Sequence, residues 1–295
     1  MRSEMIYIRY LRRSLLGGLF LLSLAQICEA QDTSRSNAAA LSLRDDFRRV
    51  VNRFCSLALD GMPDLERQIL REIEIRIPMD YNVTRVQAFR DESGQRIIEM
   101  SFGFLGLEKT LSDDYVFALV SSDADLNKFD AYLDYLNEKV NRNERMLRKD
   151  HIKSFREYAE IPAEKWEAVV GSDDYDRLFP VMSTSAMGFI LAHEIGHHVF
   201  GHVDRPPRSP VESRRYEKEA DRYAVALTLK MGIPAFGALP ALAFFATHEG
   251  EIVSSDATHP LAVCRLLEAF TATLDQVGGE YDRTKARAFY NRHCK

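Results

Sequence analysis

The sequence predicts an α+β fold in which a small antiparallel sheet lies in the N-terminal half and the C-terminal half is mostly helical. Two patterns carry that expectation. Apolar and polar residues alternate between positions 71 and 104, and beyond position 180 apolar residues recur at three- and four-residue spacing. A chain of 295 residues with 46% hydrophobic and 28% charged positions can bury a full core, which excludes disordered, collagen-like and coiled-coil classes. The formal charge of -5 provides no basic field for a phosphate backbone and no local basic patch replaces it, so no nucleic-acid partner is expected.

Residues 1–30 read as an export signal. Arg2, Arg9, Arg12 and Arg13 accompany an apolar run from Ser14 to Ala25 that is too short to span a bilayer comfortably. Small residues at Ser23/Ala25 and Cys28/Ala30 mark two cleavage points, and the cut before Gln31 is preferred. Arg12-Arg13-Ser14-Leu15-Leu16 also resembles a degenerate twin-arginine signal. Removal of residues 1–30 leaves a charge of -7. The expected product is acidic, soluble and exported to a periplasmic or secreted compartment, with no stable membrane span.

Residues 31–42 are small and polar, and read as a flexible leader. From Leu43 to Leu59 the residues Phe47, Val50, Val51, Phe54, Leu57 and Ala58 follow helical spacing, and Asp60-Gly61-Met62-Pro63 ends that helix. Strands are expected around Ile73–Ile77, Val83–Phe89 and Arg96–Phe104, with Asp91-Glu92-Ser93-Gly94 as the hairpin turn between the last two. Asn82-Val83-Thr84 is a glycosylation sequon, meaningful only in a eukaryotic secretory pathway. Residues 125–149 read as a surface helix with Leu126, Phe129, Leu133 and Leu136 on one face. Residues 43–180 thus form an N-terminal helical and sheet region. Residues 181–295 form a second region, with helices near 180–201, 214–231, 234–248, 261–274 and 282–292. Pro234 and Pro240 interrupt the apolar run after Met231, which therefore reads as a core helix and not as a membrane span.

The cysteines add little. Cys55, Cys264 and Cys294 remain after signal removal, and their spacing matches no zinc knuckle. If the last two helices pack antiparallel, Cys264 and Cys294 come near one end of the pair and could bridge; the alternative is three thiols.

Six of the eight histidines fall between positions 193 and 259. His193-Glu194-Ile195-Gly196-His197 is an H-E-x-x-H motif inside the apolar helix. At about 100° per residue, His197 lies about 40° and Glu194 about 100° around from His193, so all three share a face. Two imidazoles four residues apart can hold one metal ion, and the carboxylate between them reaches a water on that ion. A hydrolytic zinc site needs a third protein ligand. On the next helix Glu217 and Asp221 share a face while Glu219 points about 160° away, towards solvent. Glu217 is the expected ligand, and Asp221, one turn further on, is placed to accept from the free ring nitrogen of His193. His198 and His202 lie about 140° and 180° from His193, so neither shares the metal if the helix persists. Gly201 could end the helix and free His202, but a cap or surface role is preferred. Residues Asp204 to Val211 read as a solvated connector.

Ser213-Arg214-Arg215-Tyr216-Glu217-Lys218-Glu219-Ala220-Asp221 resembles the S-R-x-x-E-x-x-A-D signature of the gluzincin metallopeptidases related to HtpX and the CAAX prenyl proteases, peptidase family forty-eight. Thr258-His259-Pro260 followed by Arg265 is similar to the T-H-P-x-x-x-x-R element of that family, in the same order along the chain. The resemblance covers about residues 183–272, without the membrane spans of the best-known members and with a shorter gap from His197 to Glu217. It implies a zincin-like metallopeptidase domain, a zinc ion on His193, His197 and Glu217, and a protein or peptide substrate. Glu194 would be the general base. His259 and Arg265 would stabilise the oxyanion, or His259 would occupy the open metal position and hold the enzyme latent. Two rival readings stay open: a zinc-binding but catalytically silent chaperone or scaffold, and an interaction protein whose histidines only pack a core.

Overall fold

The computed structural model of the chain describes residues 33–80, 85–141, 153–233 and 271. Contacts divide the chain into two compact units, residues 1–40 and 41–295. The leader expected over 31–42 is helical from Thr33, as the opening of α1 (Thr33–Gly61). Ala38, Ala39 and Ala40 are the strongest helix formers available, which the reading by polarity overlooked.

Helix α1 buries Phe47, Val51, Phe54 and Ala58 at helical spacing, while Val50 and Leu57 of the predicted stripe are exposed. A short helix, α2 (Asp64–Glu72), leads straight into β1 (Ile73–Arg76). Strands β2 (Val86–Arg90) and β3 (Arg96–Met100) form the predicted hairpin around residues 91–94. Gly94 adopts a φ of 82° there, and Asp91 accepts from the backbone amides of Ser93 and Gln95.

The sheet is mixed, which corrects the antiparallel expectation. Its order is β1-β3-β2, with β1 parallel to β3 and β2 antiparallel to it. Alternation fixes which face each side chain takes, but it does not determine the neighbour of a strand. The central β3 buries Ile97, Ile98 and Met100. It also ends earlier than predicted, because Ser101 accepts from the amide of Phe104 and starts α3 (Phe102–Ser121).

Helix α4 (Asp123–Asn141) follows, then α5 (Phe155–Tyr158), α6 (Ala163–Val170) and α7 (Asp173–Val199). A 3-10 turn (His202–Asp204) and α8 (Pro210–Lys230) complete the described elements. The apolar face of α4 is more than surface cover, since Phe129, Leu133 and Leu136 are buried. They join a core made with Phe117 of α3, Phe155 of α5 and Tyr175 and Met182 of α7. Phe117 stacks on Trp166 of α6 with ring centroids 4.3 Å apart. A second core gathers α1, the sheet, Met187, Ile190, Leu191 and Ile195 of α7, and Ala224 and Leu227 of α8.

Helix α7 therefore contributes to both cores, its first half to one and its second half to the other. It begins before residue 180: Ser172 caps it by accepting from Tyr175, and Asp173, Asp174 and Asp176 complement the dipole in its first turn. Pro180 lies inside it. The expected boundary at 180/181 falls within this helix. Among the described residues α7 alone is long and apolar enough to cross a membrane by length and composition, and 67% of its apolar window is buried inside the fold. The expected helices beyond residue 234, the sequon at Asn82, and Cys264 and Cys294 lie outside the described residues; Cys55 is a free thiol whose pKa burial raises to about 11.

Candidate metal centre

The site forms where the last turns of α7 lie against the first half of α8. Ser209 caps α8 by accepting from Glu212, Pro210 occupies its first turn, and Tyr216, Glu217, Ala220, Asp221 and Ala224 form its buried face. The two helices can approach closely because the crossing point is small on both sides. A Cβ added to Gly196 would stand 3.2 Å from Cα of Ala220 and 3.2 Å from Cδ1 of Tyr223. Gly196→Ala gains about 1 kcal/mol of helix propensity, but the obstacle is backbone that cannot swing aside. Overpacking of about 1–3 kcal/mol wins. The variant is expected to unfold at lower denaturant than the wild type.

Across that crossing, the H-E-x-x-H pair meets the predicted third ligand. Nε2 of His193 and Nε2 of His197 are 3.1 Å apart. Glu217 places Oε2 at 3.4 Å from the first and Oε1 at 3.6 Å from the second. His193, His197 and Glu217 are the group of the described residues whose ligand atoms converge closely enough to hold one metal ion. Asp221 Oδ1 lies 3.0 Å from Nδ1 of His193, where the sequence placed it. A carboxylate only accepts, so Nδ1 of His193 carries a hydrogen, and in the neutral imidazole the Nε2 lone pair faces the cluster. Glu194 is buried on the same helix, 6% exposed.

Burial acts to lower the pKa of His193, but the hydrogen bonds to Asp221 and Glu217 outweigh it and raise it to about 10. The physical cause is the acceptor-rich composition of the cluster. Two imidazole lone pairs and a carboxylate face one another, and a positive charge between them, a proton or a metal ion, is what makes the arrangement favourable.

His202 and Glu219 depart from the expected surface positions. Gly201, with a φ of 68°, ends α7 and turns the chain so that His202 comes back beneath His197. His202 is 6% exposed, not a surface residue. Its Nδ1 is 3.1 Å from Nδ1 of His197 and its Nε2 is 2.9 Å from Oε2 of Glu219. Its ring stacks on Tyr216, with centroids 4.0 Å apart and planes within 6°. Glu219, expected in solvent, is half-buried and reaches the site through His202. Gly201 was the available signal, since the wheel argument against His202 holds only while the helix continues.

The remaining contacts fix the helix end to the sheet. His198 Nε2 donates to the carbonyl of Ile97 on β3 at 2.9 Å, and burial lowers its pKa to about 4, so it is a neutral structural tie and no ligand. Arg90 and Arg96 pair with Asp204, which anchors the start of the 204–211 connector to the hairpin. His259 and Arg265 lie outside the described residues.

No curated protein and no solved structure matches the chain. Residues 110–277 match the family described as Peptidase U49, a span that begins upstream of the recognised motifs and contains α7 and α8 whole. The chain belongs to the peptidase U49 family.

Proposed function

We propose that this peptidase is a zinc-dependent endopeptidase of gluzincin type, in which His193, His197 and Glu217 hold the metal and Glu194 is the general base. The observation that carries the reading is the spacing of the three donors. Zinc bonds of about 2.0–2.1 Å at tetrahedral angles put neighbouring ligand atoms about 3.3 Å apart. The pairs here are separated by 3.1, 3.4 and 3.6 Å. Two nitrogens and one carboxylate also leave the fourth position that catalysis requires.

Zinc bound there would polarise the scissile carbonyl and bring the pKa of water towards ~7. Glu194, one residue past His193 on the shared face, takes the proton of the attacking water and passes it to the leaving amine. Asp221 holds the tautomer and plane of His193. His259 and Arg265 belong to the proposal through their resemblance to the T-H-P-x-x-x-x-R element, as oxyanion donors or, for His259, as an occupant that keeps the site latent. The likeness to HtpX and the CAAX prenyl proteases, a zincin-like fold, a protein or peptide substrate, and export through residues 1–30 complete the reading.

Elemental analysis of the purified protein against His193→Ala tests it. We expect one zinc per chain in the wild type and none in the variant. Equal zinc in both would remove His193 as a ligand, and none in the wild type after reconstitution would leave the peptidase without this metal.

A further inference from the structure

We infer that His202 and Glu219 are positioning residues for His197, acting as an imidazole and carboxylate relay that fixes which nitrogen of His197 faces the metal. The inference rests on the zinc reading above and adds an outer shell to it on the side opposite Asp221.

The direction of the relay follows from its far end. Glu219 Oε2 can only accept, so His202 donates from Nε2 over 2.9 Å. A neutral imidazole with its hydrogen on Nε2 has a lone pair on Nδ1. That lone pair is 3.1 Å from Nδ1 of His197, which must then donate. His197 is left with its lone pair on Nε2, the atom 3.1 Å from Nε2 of His193 and 3.6 Å from Glu217. The two metal ligands thus reach the same tautomer by different routes. His193 contacts its carboxylate, Asp221, directly, whereas His197 contacts Glu219 through a second imidazole.

The relay ring is held on its own account. His202 has a side-chain exposure of 4% and lies flat against Tyr216. The geometry depends on Gly201, whose left-handed backbone reverses the chain between the two histidines. A histidine present only as a helix cap would need neither the stacked face nor partners on both nitrogens.

The test is zinc affinity and the rate of zinc loss to a chelator, measured on the full chain for His202→Ala, Glu219→Ala, Glu219→Gln and the double alanine variant. Outer partners of a ligating histidine typically contribute 10–100-fold in metal affinity. Each alanine variant is expected to bind one zinc at saturation, with a dissociation constant raised about 10–100-fold. Glu219→Gln keeps a neutral acceptor and should fall between wild type and Glu219→Ala. The double variant should bind no more weakly than His202→Ala, because without the imidazole Glu219 has no route to His197. A charge effect of Glu219 acting through space would instead add to that of His202. Glu219 is 36% exposed, so its variants keep the fold even if His202→Ala perturbs it. Unchanged affinity in the Glu219 variants, or full additivity in the double variant, overturns the relay and leaves the zinc site standing. Absence of zinc from the wild type overturns both.

Discussion

Glu194→Gln is expected to abolish peptide cleavage while the protein keeps its zinc. The glutamine is isosteric and remains a hydrogen-bonding group in the same buried place, so His193 and His197, the proposed ligands on either side of it in sequence, should not move. What it lacks is the ability to take a proton. General-base assistance contributes about 10²–10⁴-fold to a rate, and the same residue also returns the proton to the amine, so the loss should lie at the upper end of that range. The measurement is turnover of an unstructured protein substrate beside zinc content and thermal stability. Retained turnover with retained zinc would remove Glu194 from the chemistry. Loss of turnover with intact zinc would also dispose of the silent-scaffold reading, because the wild type would then have an activity to lose. A parallel loss of zinc would mean that the residue supports the ligands instead.

The parts of this site that were legible in the sequence are those where one element's geometry suffices. His193, Glu194 and His197 share a face because a helix turns about 100° per residue, and the same rule separated Glu217 and Asp221 from Glu219. Both predictions depend only on helix persistence, and α7 and α8 persist through those residues. The rule failed at His202, where Gly201 ends the helix. It also failed for Glu219, which points away from Glu217 yet meets a histidine arriving from another element. The sheet divided in the same manner: local turn chemistry predicted the hairpin at residues 91–94, but the parallel pairing of β1 with β3 is a choice between strands that alternation does not encode. Helix α3 was hidden for a different reason. It buries Phe102, Leu105, Leu111, Val116 and Phe117, and also Glu108 and Asp114, so it shows no polar face from which a period could be read.

Glu217→Ala is expected to lose zinc altogether, and with it all activity. Removing the carboxylate leaves two imidazoles, which is fewer protein ligands than any hydrolytic zinc site uses. It also removes a negative charge that, with Asp221, acts on His193 in this buried cluster and would offset a bound cation. A loss of this kind would exceed the effect of substituting Glu219 or His202, because the deleted group is the proposed ligand itself and not a group that orients one. The comparison that makes the result specific is with Glu219→Ala on the same helix, two residues away, which should still fill at saturating zinc though more weakly. Glu217→Asp provides a finer scale, since it keeps the charge but withdraws it by one methylene. It should bind zinc with reduced affinity, between wild type and alanine. Should Glu217→Ala retain a full complement of zinc while Glu219→Ala loses it, the third ligand would be Glu219, and the acceptor cluster at His193 and His197 would need another account.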